Sequence, residues 1–77
     1  MSKFIEFRPV HTETITKRWE VVSKLGGDPL GVVKWFGRWR KYAFFPLAEC
    51  VFEEVCLRDL AEFCETSTRE HRASKHE

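Results

Sequence analysis

The sequence predicts an α+β fold in which a three- or four-stranded antiparallel meander packs against one C-terminal helix. Three patterns carry that expectation. Residues 14–24 set Ile15, Lys17, Trp19 and Val21 against Thr16, Arg18, Glu20 and Val22, the period of a strand. Two further strand-favouring runs, 30–36 and 39–45, flank Gly37-Arg38 and read as a hairpin. Past Glu53 the period changes, and Val55, Cys56, Leu57, Leu60, Ala61, Phe63 and Cys64 recur three and four residues apart, as on the apolar stripe of a helix.

Taken in order, Phe4, Ile5 and Phe7 stand among charged residues and suffice for a short edge strand, which Pro9 is expected to end by removing a donor. Val10 to Glu13 reads as a connection. The alternation from Thr14 to Lys24 is the next strand. Leu25-Gly-Gly-Asp-Pro29 then breaks the chain, because glycines accept positive φ and proline fixes the exit.

The hairpin is the structural centre. It holds Trp35, Trp39, Tyr42, Phe36, Phe44 and Phe45 interleaved with Lys34, Arg38, Arg40 and Lys41. Gly37 in a two-residue type II′ turn would oppose Phe36 to Trp39, Trp35 to Arg40, Lys34 to Lys41, Val33 to Tyr42 and Val32 to Ala43. One face then carries Val33, Trp35, Tyr42 and Phe44, with Arg40 near the tip. The other carries Leu30, Val32, Phe36, Trp39, Ala43 and Phe45, broken by the Lys34/Lys41 pair. Opposed like charges cannot be buried unpaired, so the helix is expected to cover Val33, Trp35, Tyr42 and Phe44.

Residues 46–50 link sheet to helix. The acidic residues Glu53, Glu54 and Asp59 lie toward the start of the helix and Arg69 and Arg72 toward its end, the order its dipole favours. Arg58 has Glu54 and Glu62 one turn away on either side. Thr66 to Glu77 has no apolar residue except Ala73, so packing is expected to lapse near Thr66. The domain expectation is therefore one unit over 1–65 and a polar, frayed or disordered tail over 66–77.

A chain of 77 residues holds one small core, burying roughly 60% of its unfolded surface. The 14% aromatic content compensates for that smallness, because aromatic side chains bury the most area each. Net charge is only +1 but unevenly spread. Residues 17–45 carry Lys17, Arg18, Lys24, Lys34, Arg38, Arg40 and Lys41 against Glu20 and Asp28. Residues 46–65 reverse the sign, with Glu49, Glu53, Glu54, Asp59, Glu62 and Glu65 against Arg58. Such asymmetry points either to a charged partner or to two halves that satisfy each other.

Cys50, Cys56 and Cys64 are odd in number and match no zinc spacing, and no signal peptide or long apolar run is present. Reduced thiols in the cytoplasm, with no metal, no cofactor and no membrane partner, are the expectation. His11 lies in a connection and His71 and His76 in the polar tail, where a general acid or base would not be held in place. No enzymatic activity and no small-molecule substrate are therefore expected. What stands out is the group Lys34, Arg38, Trp39, Arg40 and Lys41 at the hairpin tip and outer face. Cations with an exposed Trp suit a protein partner or self-association, Trp and Arg being typical anchors. Nucleic-acid binding, with Trp39 stacking on a base, is the alternative, and a purely structural hairpin is the third reading.

Lys34-Trp35-Phe36-Gly37-x-Trp39-Arg40-x-Tyr42-x-Phe44-x-Pro46, followed by Val51-Phe52 and Cys56-Leu57-Arg58-Asp59-Leu60-Ala61-Glu62-Phe63, resembles a family of small uncharacterised bacteriophage and prophage proteins. The resemblance spans roughly residues 17–65. It implies a phage or prophage origin, an intracellular setting and a host or phage protein as partner, and it carries no activity onto any residue.

Overall fold

The computed structural model describes residues 4–74. Four strands, β1 (Ile5–Val10), β2 (Arg18–Ser23), β3 (Pro29–Phe36) and β4 (Lys41–Pro46), are followed by one helix, α1 (Glu54–Ser74). The strands form a single antiparallel sheet in the order β1-β2-β3-β4, so the architecture is the expected α+β meander with a C-terminal helix.

Alternation puts Ile5, Phe7, Trp19, Val21, Val33, Trp35, Tyr42 and Phe44 on the face that α1 covers. Ile5, Val21, Val33, Tyr42, Cys56 and Leu60 form the buried centre, and Phe7, Trp19, Trp35, Phe44, Phe52, Phe63 and Cys64 pack around it. The Phe7 and Phe63 rings stack at 3.9 Å with their planes 3° apart. Trp19 meets Tyr42 and Phe63 edge-on at 5.5 and 4.8 Å. Val33, Trp35, Tyr42 and Phe44 are thus the core face of the hairpin, as the sequence indicates.

Several expectations about the strands are corrected. The hairpin loop is the four residues Gly37–Arg40, closed by Trp39 N–H to the Phe36 carbonyl (3.1 Å) and Arg40 N–H to the Gly37 carbonyl (3.3 Å). Phe36 therefore pairs with Lys41, Trp35 with Tyr42, Lys34 with Ala43, Val33 with Phe44 and Val32 with Phe45. The positive φ that a type II′ turn needs at Gly37 is instead found at Arg40 (53°), which ends the loop in the left-handed region. Lys34 and Lys41 do not oppose each other, and Arg40 sits in the turn and not on the core face. Leu30, expected outside, packs against the core because a bulge at Val21/Val22 offsets β2 from β3 there. β2 starts at Arg18, not Thr14, because the hydroxyls of Thr12 and Thr14 both donate to the Thr16 carbonyl (3.0 and 3.1 Å) and curl that stretch into bends. Pro9 lies within β1 and does not end it, a position open to proline on an edge strand.

The helix also departs from expectation. It starts where Glu53 caps it, the Glu53 carboxylate accepting from Cys56 N–H at 2.7 Å. It then runs to Ser74 and does not fray at Thr66. Ser67 and Thr68 are each only 7% exposed, because Thr68 bridges two elements. Its Oγ1 donates to the Cys64 carbonyl (2.8 Å) and accepts from Tyr42 N–H (3.0 Å) on the edge of β4. Arg72 donates to the Arg40 carbonyl at 3.2 Å, one turn further on. His71 packs over Trp35 (4.5 Å) and beside Tyr42 (5.9 Å), so it too is held and not loose. Residues 75–77, including His76, lie outside the described residues.

Candidate functional site

Of the residues singled out at the hairpin, Arg38, Trp39 and Arg40 lie in the turn, Lys34 stands on the outer face of the sheet, and Lys41 stands at the β4 edge, where it lines a cleft with Glu65, Arg69 and Arg72 of α1. Trp39 stands on the turn at 65% exposure, its ring edge-on to Phe36 at 4.7 Å. Phe36 meets Phe45 at 5.9 Å, and Lys34 Nζ lies 4.6 Å above the Phe45 ring, a cation–π contact. An aromatic ladder Trp39-Phe36-Phe45 thus runs from the tip along β3 and β4, with Lys34 on its flank.

The cations gather around that ladder. Arg38, Arg40 and Lys41 are exposed, Lys34 is half-buried, and Lys41 stands opposite Phe36. The left-handed Arg40 has its carbonyl fixed by Arg72 while its side chain stays exposed. Among the described residues, none of Lys34, Arg38, Arg40 and Lys41 is in an ion pair; those present join Arg8 to Glu6 (3.3 Å) and Arg58 to Glu54 (3.4 Å). The five predicted residues are therefore brought into one neighbourhood, though not through the register that the sequence suggested.

Reasoning from the hairpin alone missed Arg18. It pairs with Lys34 across β2 and β3, so two cations stand side by side on the outer face, the like-charge opposition that had been expected between Lys34 and Lys41. The signal was available in the β2 alternation, which puts Arg18 on the face opposite Trp19.

On the covered side, the thiols of Cys56 and Cys64 are both pushed up in pKa by burial, Cys56 also by the neighbouring Glu53 carboxylate. They behave there as small apolar side chains. All three cysteines are free. Among the described residues no group of His, Cys, Asp and Glu has the arrangement of a metal site. His71 lines a small cleft of about 90 Å³ with Ser67, Glu70 and Tyr42, but its ring packs tilted against Trp35 and edge-on to Tyr42, and no hydrogen bond among the described residues joins it to Ser67 or Glu70. No described helix is long and apolar enough to cross a membrane.

Comparison with known proteins finds similarity to an uncharacterized 9.3 kDa protein of Acholeplasma phage L2, 34% identical over 44 residues. The match covers 57% of this chain, and the chain spans only 56% of that protein's length. No protein-family model matches, and no solved structure does either.

Proposed function

We propose that this chain is a small non-enzymatic binding protein of phage or prophage origin, working inside the cell through the Trp39-bearing hairpin on an acidic protein surface. The partner class is a host or phage protein, or a second copy presenting such a surface. The observation that carries the reading is Trp39 itself, a 65% exposed indole between the exposed Arg38 and Arg40 in sequence, with the exposed Lys41 next along the strand. A large apolar ring kept in water among unpaired cations has no folding role that its edge contact with Phe36 would not serve more cheaply with a smaller residue. Trp and Arg are also the side chains that anchor protein interfaces. The resemblance of the hairpin motif to small phage proteins is part of this proposal.

The test is affinity capture from bacterial lysate, with and without nuclease, by the wild-type chain and by Trp39→Ala. Specific proteins that survive nuclease and disappear with Trp39→Ala are the expected result. Trp39→Ala loses about 1 kcal/mol of edge-to-face contact and stays folded, whereas Trp35→Ala, which opens the core beside Tyr42 and His71, costs about 3 kcal/mol. Equal capture by the wild type and Trp39→Ala refutes the reading, and so does a Trp39→Ala melt as low as that of Trp35→Ala.

A nucleic-acid partner is the second reading, favoured by Arg18 beside Lys34. Phosphates would neutralise the pair, and bases could stack on the ladder. Nuclease-sensitive capture, with DNA affinity falling steeply as salt rises, distinguishes it.

A further inference from the structure

We propose that the groove between β1 and α1 is a separate docking site, which takes an extended peptide segment as a fifth strand and recognises in it an apolar residue and a Lys or Arg two residues apart. The two edges of the sheet are not equivalent. At the β4 edge α1 already engages the Tyr42 N–H and the Arg40 carbonyl. At the β1 edge the Lys24 N–H to Phe4 carbonyl bond (2.9 Å) sets the ladder alternation, so residues 6, 8 and 10 bond to β2 while Phe7 turns its N–H and carbonyl outward. Pro9 falls on the same outward register, where it offers a carbonyl and its missing donor breaks no bond within the sheet.

Beside that edge lies a groove of about 590 Å³ whose apolar walls are Ile5, Phe7 and Phe63 and whose helix side carries Asp59 and Glu62. Side chains of an added strand alternate, so every second one would enter this groove. Asp59 Oδ2 is buried and has no hydrogen-bond partner among the described residues. A carboxylate oxygen removed from water calls for a donor, and a Lys or Arg on the added strand supplies one. The lining carries Glu6, Asp59 and Glu62 against Lys24, and with Glu6 engaged by Arg8 the helix carboxylates Asp59 and Glu62 still leave the groove acidic on balance. A second copy fits less well than a basic peptide. Antiparallel pairing of β1 with its equivalent places both helices on one side of the joined sheet, with their Asp59 and Glu62 flanks toward each other.

The test is titration of the ¹⁵N-labelled chain with acetyl-Thr-Leu-Thr-Lys-Thr-Leu-Thr-amide, which pairs antiparallel to β1 through its Leu and Lys backbone groups, with a counterpart carrying Glu in place of Lys, and with a counterpart N-methylated at both Leu and at Lys. Amide shifts at Phe7, Glu62 and Phe63, binding about tenfold weaker for the Glu peptide, and none for the N-methylated peptide are expected. Asp59→Asn and Glu62→Gln should each erode the preference for Lys over Glu, while Trp39→Ala leaves it intact, which separates this site from the hairpin. Equal affinity for the Lys and Glu peptides, shifts confined to residues 36–41, or no saturation at millimolar peptide overturns the proposal. A concentration-dependent dimer whose formation shifts the Phe7 amide and excludes the Lys peptide also overturns it, in favour of a second copy.

Discussion

Gly31→Ala gives the most direct test of how the hairpin is packed. Gly31 lies opposite Val21 on β2 and Pro46 on β4, on the side where Phe44 turns inward. A Cβ built there meets the Phe45 carbonyl oxygen at 2.5 Å and two Phe44 ring carbons at 2.6 and 2.7 Å, whereas ordinary contacts begin near 3.4 Å. The oxygen belongs to the ladder and cannot swing aside, so strand separation or a displaced Phe44 ring must absorb the overlap. Overpacking of this kind costs about 1–3 kcal/mol, against about 0.4–1 kcal/mol gained by stiffening the unfolded chain. The net loss is about 1–2 kcal/mol, which for a domain of this size lowers Tm by roughly 4–16 °C. Gly37→Ala is the matched control, because no atom lies within 4 Å of its Cβ and its φ is not positive. Thermal melts followed by tryptophan fluorescence would show Gly31→Ala well below the wild type and Gly37→Ala at or above it. A Gly31→Ala variant as stable as Gly37→Ala would refute the packing described for Phe44 against β3.

Thr68→Val removes the acceptor of the buried Tyr42 N–H and the bond to the Cys64 carbonyl, and should cost about 1–3 kcal/mol in a denaturant melt, with Thr68→Ser recovering most of it. Arg40→Gly relieves the left-handed backbone at 53° and should raise stability by about 0.5–1 kcal/mol, net of the entropy of glycine, while weakening capture of the proposed hairpin partner. The Glu53 carboxyl is held below its ordinary 4.5, chiefly by the Cys56 N–H that it accepts, so its contribution is present above pH 4.5 and is lost as pH falls through the lowered folded-state value. An acid titration of Tm should therefore be steeper for the wild type than for Glu53→Gln; parallel curves would show that the cap is not formed.

The faces of the hairpin were legible although its register was not. Phe36 was expected opposite Trp39 and pairs with Lys41, a slip of two residues, and a slip of two keeps the paired side chains of 32–36 and 41–45 on their original faces, while Leu30 and Arg40 left theirs. What hid the register was the turn. Glycine at position 37 advertised a two-residue loop, but the residue in the left-handed region is Arg40, which no propensity rule would choose. The extent of the helix was hidden for a different reason. Hydrophobic periodicity stops at Cys64, and the next two turns are held by polar groups, Thr68 to Tyr42 and Arg72 to Arg40, whose partners lie 26 and 32 residues away in sequence. The hairpin cations and Trp39 could be named from sequence because they are one local cluster. Arg18 beside Lys34 depended on the pairing of β2 with β3, and the β1–α1 groove depended on how the two ends of the chain meet.

Charge separation sharpens what the hairpin surface can do. The sequence allowed its basic and acidic halves to neutralise each other, but the ion pairs among the described residues are local ones, Arg8 with Glu6 and Arg58 with Glu54, and neither joins the hairpin to the helix. Lys41 lines a cleft that also holds Glu65, Arg69 and Arg72 of α1, while no ion pair among the described residues joins Arg18, Lys34, Arg38 or Arg40 to a helix carboxylate, so the basic field over those four is not cancelled by direct pairing. A net charge of +1 therefore understates the attraction that an anionic surface would feel on approaching the hairpin. It also gives the direction of approach, since the same partner arriving from the helix side would meet the acidic flank and be turned away.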